Sequence, residues 1–201
     1  MLNRMILPII AYGDPVLKKE AEEIDDSYEG LKKLISNMFE TMYNAKGVGL
    51  AAPQIGLSIR LFIVDGSPFA EDDGAEKDPK SKDIESFKKV FINPIIEDES
   101  GKEWGFGEGC LSIPNIREEV FRKEEVSISY YDENWKLKEE TYDGYAARII
   151  QHEYDHVEGI LFTDHLSSLK RKLLKKRLNN ISKGNTEVSY KMKFPGIKRK
   201  H

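Results

Sequence analysis

His152, Glu153 and His156 are the residues whose types and spacing promise chemistry, in the run His152-Glu153-Tyr154-Asp155-His156. Side chains four apart on a helix share a face, so the two imidazoles converge on one point, with Glu153 beside it. Two neutral ring nitrogens next to a carboxylate suit a catalytic divalent cation, the nitrogens as ligands and the carboxylate as a base for water. Two ligands do not complete such a site, so a third must come from elsewhere in the chain.

A helix has to carry this pair. Ala146, Ala147, Ile149 and Ile150 favour one, Asp143 suits its N-cap and Gly159 its end. The H-E-x-x-H pattern is used most by metalloproteases, and one branch of them continues to a glycine and a third histidine. Gly159 stands in the glycine position, but the histidine position is Phe162. His165 and His201 lack ligand spacing and read as surface residues. The only cysteine, Cys110, cannot form an intrachain disulfide, which fits a reducing cytosol and leaves its thiol for other work.

The remaining elements follow from periodicity. Leu31, Leu34, Ile35, Met38, Phe39 and Met42 repeat at helical steps, predicting a core helix over 28–46 capped by Asp26 or Ser27. A glycine-containing loop over 47–56 leads into a strand over 59–64. Residues 66–89 read as a polar surface excursion, mobile and without a catalytic role. Strand character resumes over 90–96, where Pro94 predicts an edge or a strand end. Residues 125–131 and 135–142 alternate around Asp132 and Asn134 as a hairpin. A helix over 164–182 carries Leu166, Leu169, Leu173, Leu174 and Leu178 on one side and Lys/Arg on the other. Residues 188–194 alternate as a final strand.

The 201 residues, 39% of them apolar, suffice for one domain with a sizeable core, and 33% charged residues imply a heavily charged surface. The apolar run Met5–Tyr12 is short and broken by Pro8, which speaks against a signal peptide, and no stretch is fit to span a membrane. The net charge of −4 conceals an asymmetry: residues 170–201 hold 12 Lys/Arg against one acid, while the rest holds 19 against 34. That basic end suits nucleic acid or another anionic surface.

Three separated stretches, G-V-G-L-A-A-P-Q at 47–54, E-G-C-L-S-I-P at 108–114 and Q-H-E-Y-D-H at 151–156, together resemble the peptide deformylase family. Gly13-Asp14-Pro15-Val16-Leu17-Lys18-Lys19 and the strand–hairpin–helix order are similar to it too. The resemblance implies Cys110, His152 and His156 as ligands of one divalent metal, Fe(II) in the cell, with Zn, Ni or Co as alternatives. It implies Glu153 as general base, and Gln54 with the Leu111 backbone N–H as donors to the developing oxyanion. The substrate would be the N-formyl-methionyl end of a nascent polypeptide, its side chain near Val48, Tyr145 and Ile149 and its backbone along Gly49. Formate would be the product and the cytoplasm the compartment.

Arg148, a turn before His152, stands where an apolar residue would suit the methionine pocket, so it either turns to solvent or narrows the pocket. Glu108 and Arg122 match a pair that would brace the Cys110 loop. The resemblance also implies docking on the ribosome through the basic helix and tail at about 164–201. The expected architecture is one α+β domain over 1–201, a mostly antiparallel sheet around the metal-motif helix with other helices outside. Two other readings are a zinc endopeptidase of another H-E-x-x-H type and a ribosome- or nucleic-acid-binding protein whose metal is structural.

Overall fold

The computed structural model describes residues 5–70 and 84–195. In chain order its elements are β1 (Ile9–Ile10), α1 (Leu31–Asn44), β2 (Gly49–Ala51), β3 (Leu61–Asp65), the short α2 (Ser67–Ala70), β4 (Lys88–Cys110), β5 (Ile113–Tyr131), β6 (Leu137–Asp143), α3 (Gly144–Val157), α4 (Ser168–Ser182) and β7 (Met192–Lys193). Strands β2 to β6 form one antiparallel sheet in sequence order, and β1 pairs with β7 in parallel. The α+β expectation holds. Among the described residues no helix is long and apolar enough to cross a membrane.

Strand β3 explains the layering. All five of its residues are buried, and alternation sends Leu61 and Ile63 toward Leu31, Ile35, Met38 and Met42 of α1. Phe62 and Val64 face the other way, among Ala147, Ile149, Ile150 and Val157 of α3. The sheet is thus covered on both faces where it holds α3, and each fully buried Leu, Ile or Phe contributes about 1.5–3 kcal/mol. A third cluster joins Ile113, Ile116 and Val120 of β5 to Leu174, Leu178 and Ile181 of α4.

Several expectations are corrected here. Helix α1 starts at Leu31 behind Gly30 at φ +77°, without a side-chain cap; the Asp25 carboxylate instead accepts from the Ser27 N–H and hydroxyl. Asp143 does precede α3, but its side chain makes no capping bond. Gly159, at φ +70°, ends α3 where an added Cβ would lie 2.8 Å from the Lys18 carbonyl carbon. Pro94 does not end its strand, but it stands where β4 becomes an edge, past its last pair with β3 at Ile92. Pairing slips from Ile92↔Tyr131 to Ile95↔Ser129, so β4 carries one extra residue in a bulge where the missing proline N–H costs no ladder bond. Asn93, at φ +48°, turns there and clamps the Ile24 backbone N–H and carbonyl at 3.0 and 2.7 Å.

The leucines of the last helix do not share one face. Leu174 and Leu178 are buried with Ile181, whereas Leu169 and Leu173 are 66% and 72% exposed, and Leu166 precedes the helix. Only Met192 and Lys193 of the expected final strand pair. Of the excursion over 66–89, residues 71–83 lie outside the described residues, as do His201 and the last residues of the tail; Ile84 at its far end is buried.

Candidate metal centre

Three elements bring the chemistry together. The hairpin β4–β5 delivers Cys110 at its tip, α3 supplies His152, Glu153 and His156, and the short 3-10 turn Ala52–Ile55 after β2 supplies Gln54. One ligand atom from each of Cys110, His152 and His156 lies within 4.8 Å of the others, and Cys110 Sγ is 3.3 Å from His156 Nε2. A thiolate and two imidazoles are a donor set for a divalent transition metal, whose bonds of roughly 2.0–2.3 Å suit three groups this close. The electrostatics agree. Burial opposes ionisation of the Cys110 thiol, yet the imidazoles of His156 and His152 bring its pKa down to about 5.

The orientation of His152 is set from behind. Its Nδ1 meets Glu108 Oε2 at 2.9 Å, which leaves Nε2 for the metal side. Glu108 is itself gripped by Arg122 through Nε and Nη2 at 2.7 and 3.0 Å and by Arg148 Nη1 at 2.9 Å. Burial opposes its charge, but the bonds from His152 and Arg122 outweigh that and hold its pKa well below the usual carboxylate range. Arg122 continues to Asp155 Oδ2 at 2.8 Å, and Asp155 also meets His165 Nε2 at 2.8 Å. The Glu108–Arg122 pair is therefore a buried bidentate brace, not two solvated charges.

Arg148 is only 2% exposed and does not turn to solvent. Besides Glu108 it donates to the carbonyls of Val120 and Trp104 at 2.9 and 2.7 Å, and its guanidinium lies 4.4 Å from the Trp104 ring centroid. It lines the cleft as a pinned part of its wall. Phe162, where a third histidine would stand, is buried and stacks on His152 with centroids 6.2 Å apart.

Glu153 is 4% exposed, and its Oε2 has no hydrogen-bond partner among the described residues. Burial raises its pKa to about 7 against the pull of His152 and His156. Gly49 makes room for it: a Cβ there would lie 2.7 Å from Glu153 Cδ. Gln54 is oriented by its own amide, with Oε1 accepting from the Ala51 N–H at 2.8 Å and Nε2 3.4 Å from Cys110 Sγ. Val48, Gly49, Gln54, Leu111, Tyr145 and Ile149 all line the same cleft, of about 820 Å³, as Cys110, His152 and Glu153.

Sequence reasoning missed Asp155, the Arg148 contacts and the return of the C-terminal segment to the cleft at Val188 and Tyr190. Only the last had a signal, the alternation over 188–194, and that signal does not say where the segment lands.

The polypeptide deformylase family model matches residues 6–172. A peptide deformylase of Christiangramia forsetii is 61% identical over 97% of this chain and 99% of its own length. One from Flavobacterium johnsoniae is 55% identical over the same shares. The crystal structure of a peptide deformylase from Legionella pneumophila superposes with a TM-score of 0.73 at 39% identity, covering 90% of this chain and 98% of that one. With a matching fold, a matching family model and near-complete coverage of its relatives, the chain belongs to the peptide deformylase family, not to the endopeptidases that share its histidine motif.

Proposed function

We propose that Cys110, His152 and His156 hold one divalent cation and that Glu153 moves the proton in removing the formyl group from formyl-methionyl nascent polypeptides. The observation that carries this reading is Glu153 itself, a buried carboxylate beside the thiolate–imidazole set with one oxygen unpartnered among the described residues. When bound, the cation supplies Lewis acidity that acidifies water and polarises the formyl carbonyl. Glu153 accepts the proton of the attacking water. The formyl C–N bond then breaks, formate keeps the water's oxygen, and Glu153 returns the proton to the departing amine. A carboxylate whose pKa is about 7 both takes and gives a proton readily near neutrality.

Charge developing on the formyl oxygen is met by the Gln54 amide, whose N–H end already faces Cys110, and by the Leu111 backbone N–H. The methionine side chain enters the apolar cleft at Val48, Tyr145 and Ile149, while the peptide backbone pairs along Gly49 at the free edge of β2. A soft thiolate with two imidazoles accepts Fe(II), Zn, Ni or Co, and Fe(II) is the proposed cellular metal.

We read residues 1–201 as one catalytic domain working in the cytoplasm. Its basic α4 and tail contact the ribosome, an assignment supported by the exposed Leu169 and Leu173 among exposed Lys172, Lys175 and Lys176. Sedimentation with ribosomes that weakens with salt, and weakens further in Lys172→Glu/Lys176→Glu, supports the contact; binding indifferent to both removes it.

Anaerobic purification with metal analysis, followed by formate release from formyl-Met-Ala-Ser, tests the whole. One divalent ion per chain with turnover that chelation abolishes is the expected result. Turnover that survives complete metal removal would contradict it.

A further inference from the structure

After α4 the chain could leave the body of the protein, yet it doubles back across the tip of the β4–β5 hairpin. Asn115 Nδ2 donates to the Glu187 carbonyl at 3.0 Å and to Thr186 Oγ1 at 3.4 Å. Asn115 itself sits at φ +62°, and its carbonyl accepts from Arg177. Three residues past Glu187, the Tyr190 hydroxyl donates to the Leu111 carbonyl at 2.8 Å. Beyond it the Lys191 and Lys193 carbonyls accept from the N–H groups of Ile9 and Ala11 at 2.8 and 2.9 Å.

The hairpin tip is therefore held from outside at two successive carbonyls. Leu111 takes the Tyr190 hydroxyl, and Ser112 takes the Tyr12 N–H at 2.9 Å. On its other side Leu111 is tied to Cys110, whose sulfur lies within the metal-capable set. The Leu111 N–H lies in the peptide plane shared with Cys110 and the Leu111 carbonyl in the plane shared with Ser112, so the Tyr190 bond holds the second plane and restrains the first through the two soft dihedrals of Leu111 between them. Preorganised donors of this kind act only when they already point where charge develops.

We propose that Tyr190 is a positioning residue, holding the Leu111 carbonyl so that the Leu111 N–H stays aimed at the developing oxyanion. This rests on the assignment of Leu111 as an oxyanion donor. The C-terminal segment thereby becomes part of the active-site wall, since Glu187, Val188, Ser189 and Tyr190 all line the catalytic cleft.

Tyr190→Phe in the full-length, metal-loaded enzyme removes one hydroxyl and keeps the ring. Complete loss of an oxyanion donor costs about 10²–10³ in kcat, so loosening one lowers kcat for formyl-Met-Ala-Ser by about 5- to 10-fold. KM, metal content and Tm stay at wild-type values, and amide exchange at Leu111 accelerates. An unchanged kcat overturns the proposal, as does a fall in kcat accompanied by a matching loss of Tm, which marks a merely structural bond. A wild-type chain that releases no formate under the same conditions overturns the deformylase reading beneath it, and the proposal with it.

Discussion

Glu108 Oε2 lies 2.9 Å from His152 Nδ1, and through this contact one buried carboxylate ties an imidazole of the metal-capable set to two buried arginines. Glu108→Ala removes the orienting partner of His152 and strands Arg122 and Arg148 without their shared counter-charge. Breaking a buried pair in this way costs about 3–5 kcal/mol of stability, and loss of an orienting partner lowers metal affinity about 10–100-fold. Urea denaturation and competition with a metal chelator measure the two effects separately.

The same carboxylate sets an acid limit. Its folded-state pKa lies well below the ordinary value of 4.5, because the bonds from His152 and Arg122 outweigh the burial that opposes them. A depressed carboxylate contributes stability that is fully present above its unfolded pKa and is lost as pH falls below it toward the folded value. Stability should therefore decline as pH drops through about 4 and below. In Glu108→Gln this part of the decline should be missing, although the protein is less stable at neutral pH. Unfolding free energies of both proteins across pH 3–7 decide it; parallel curves would refute the assignment.

Gly49 gives a test of spacing. Gly49→Ala brings a Cβ to 2.7 Å from Glu153 Cδ, and since β2 is held by backbone pairing to β3, the carboxylate must yield. A displacement of this size costs about 10²-fold in turnover. The expected signature is a large fall in kcat with metal content unchanged, measured by formate release and metal analysis.

The two faces of α4 should answer differently. Leu173→Ser, at a 72% exposed position, should change stability by no more than about 0.5 kcal/mol. Leu174→Ala, at a 5% exposed position, should cost about 2–5 kcal/mol. Thermal or urea denaturation distinguishes them, and equal effects would contradict the observed packing.

What could be read from the residues alone was whatever obeys a local period or a local motif. The i, i+4 histidines, the α1 stripe and the hairpin around Asp132 are of that kind. Arg148 was not legible, because a buried cation at an apolar position makes sense only with Glu108 forty residues away and the Trp104 ring beneath it. Pro94 signalled an edge or a strand end, and the edge is what stands: β4 pairs with β3 only as far as Ile92, and a bulge carries the strand past the proline. Consecutive residues on a helix point about 100° apart, so spacing separates Leu169 and Leu173 from Leu174 and Leu178, and only the packing of Leu174, Leu178 and Ile181 with Ile113, Ile116 and Val120 shows which pair is buried. Tyr190 could not be connected to Leu111 without the parallel pairing of Ile9 and Ile10 with Met192 and Lys193, a contact spanning nearly the whole chain.

The most direct measurement is metal content and turnover of Glu153→Ala side by side. Cys110, His152 and His156 remain intact in that variant, so the expected result is one divalent ion retained per chain with formate release from formyl-Met-Ala-Ser reduced by about 10³-fold or more. Near-normal turnover with the ion still bound would contradict Glu153 as the proton carrier, and loss of the ion would make Glu153 a ligand rather than the base.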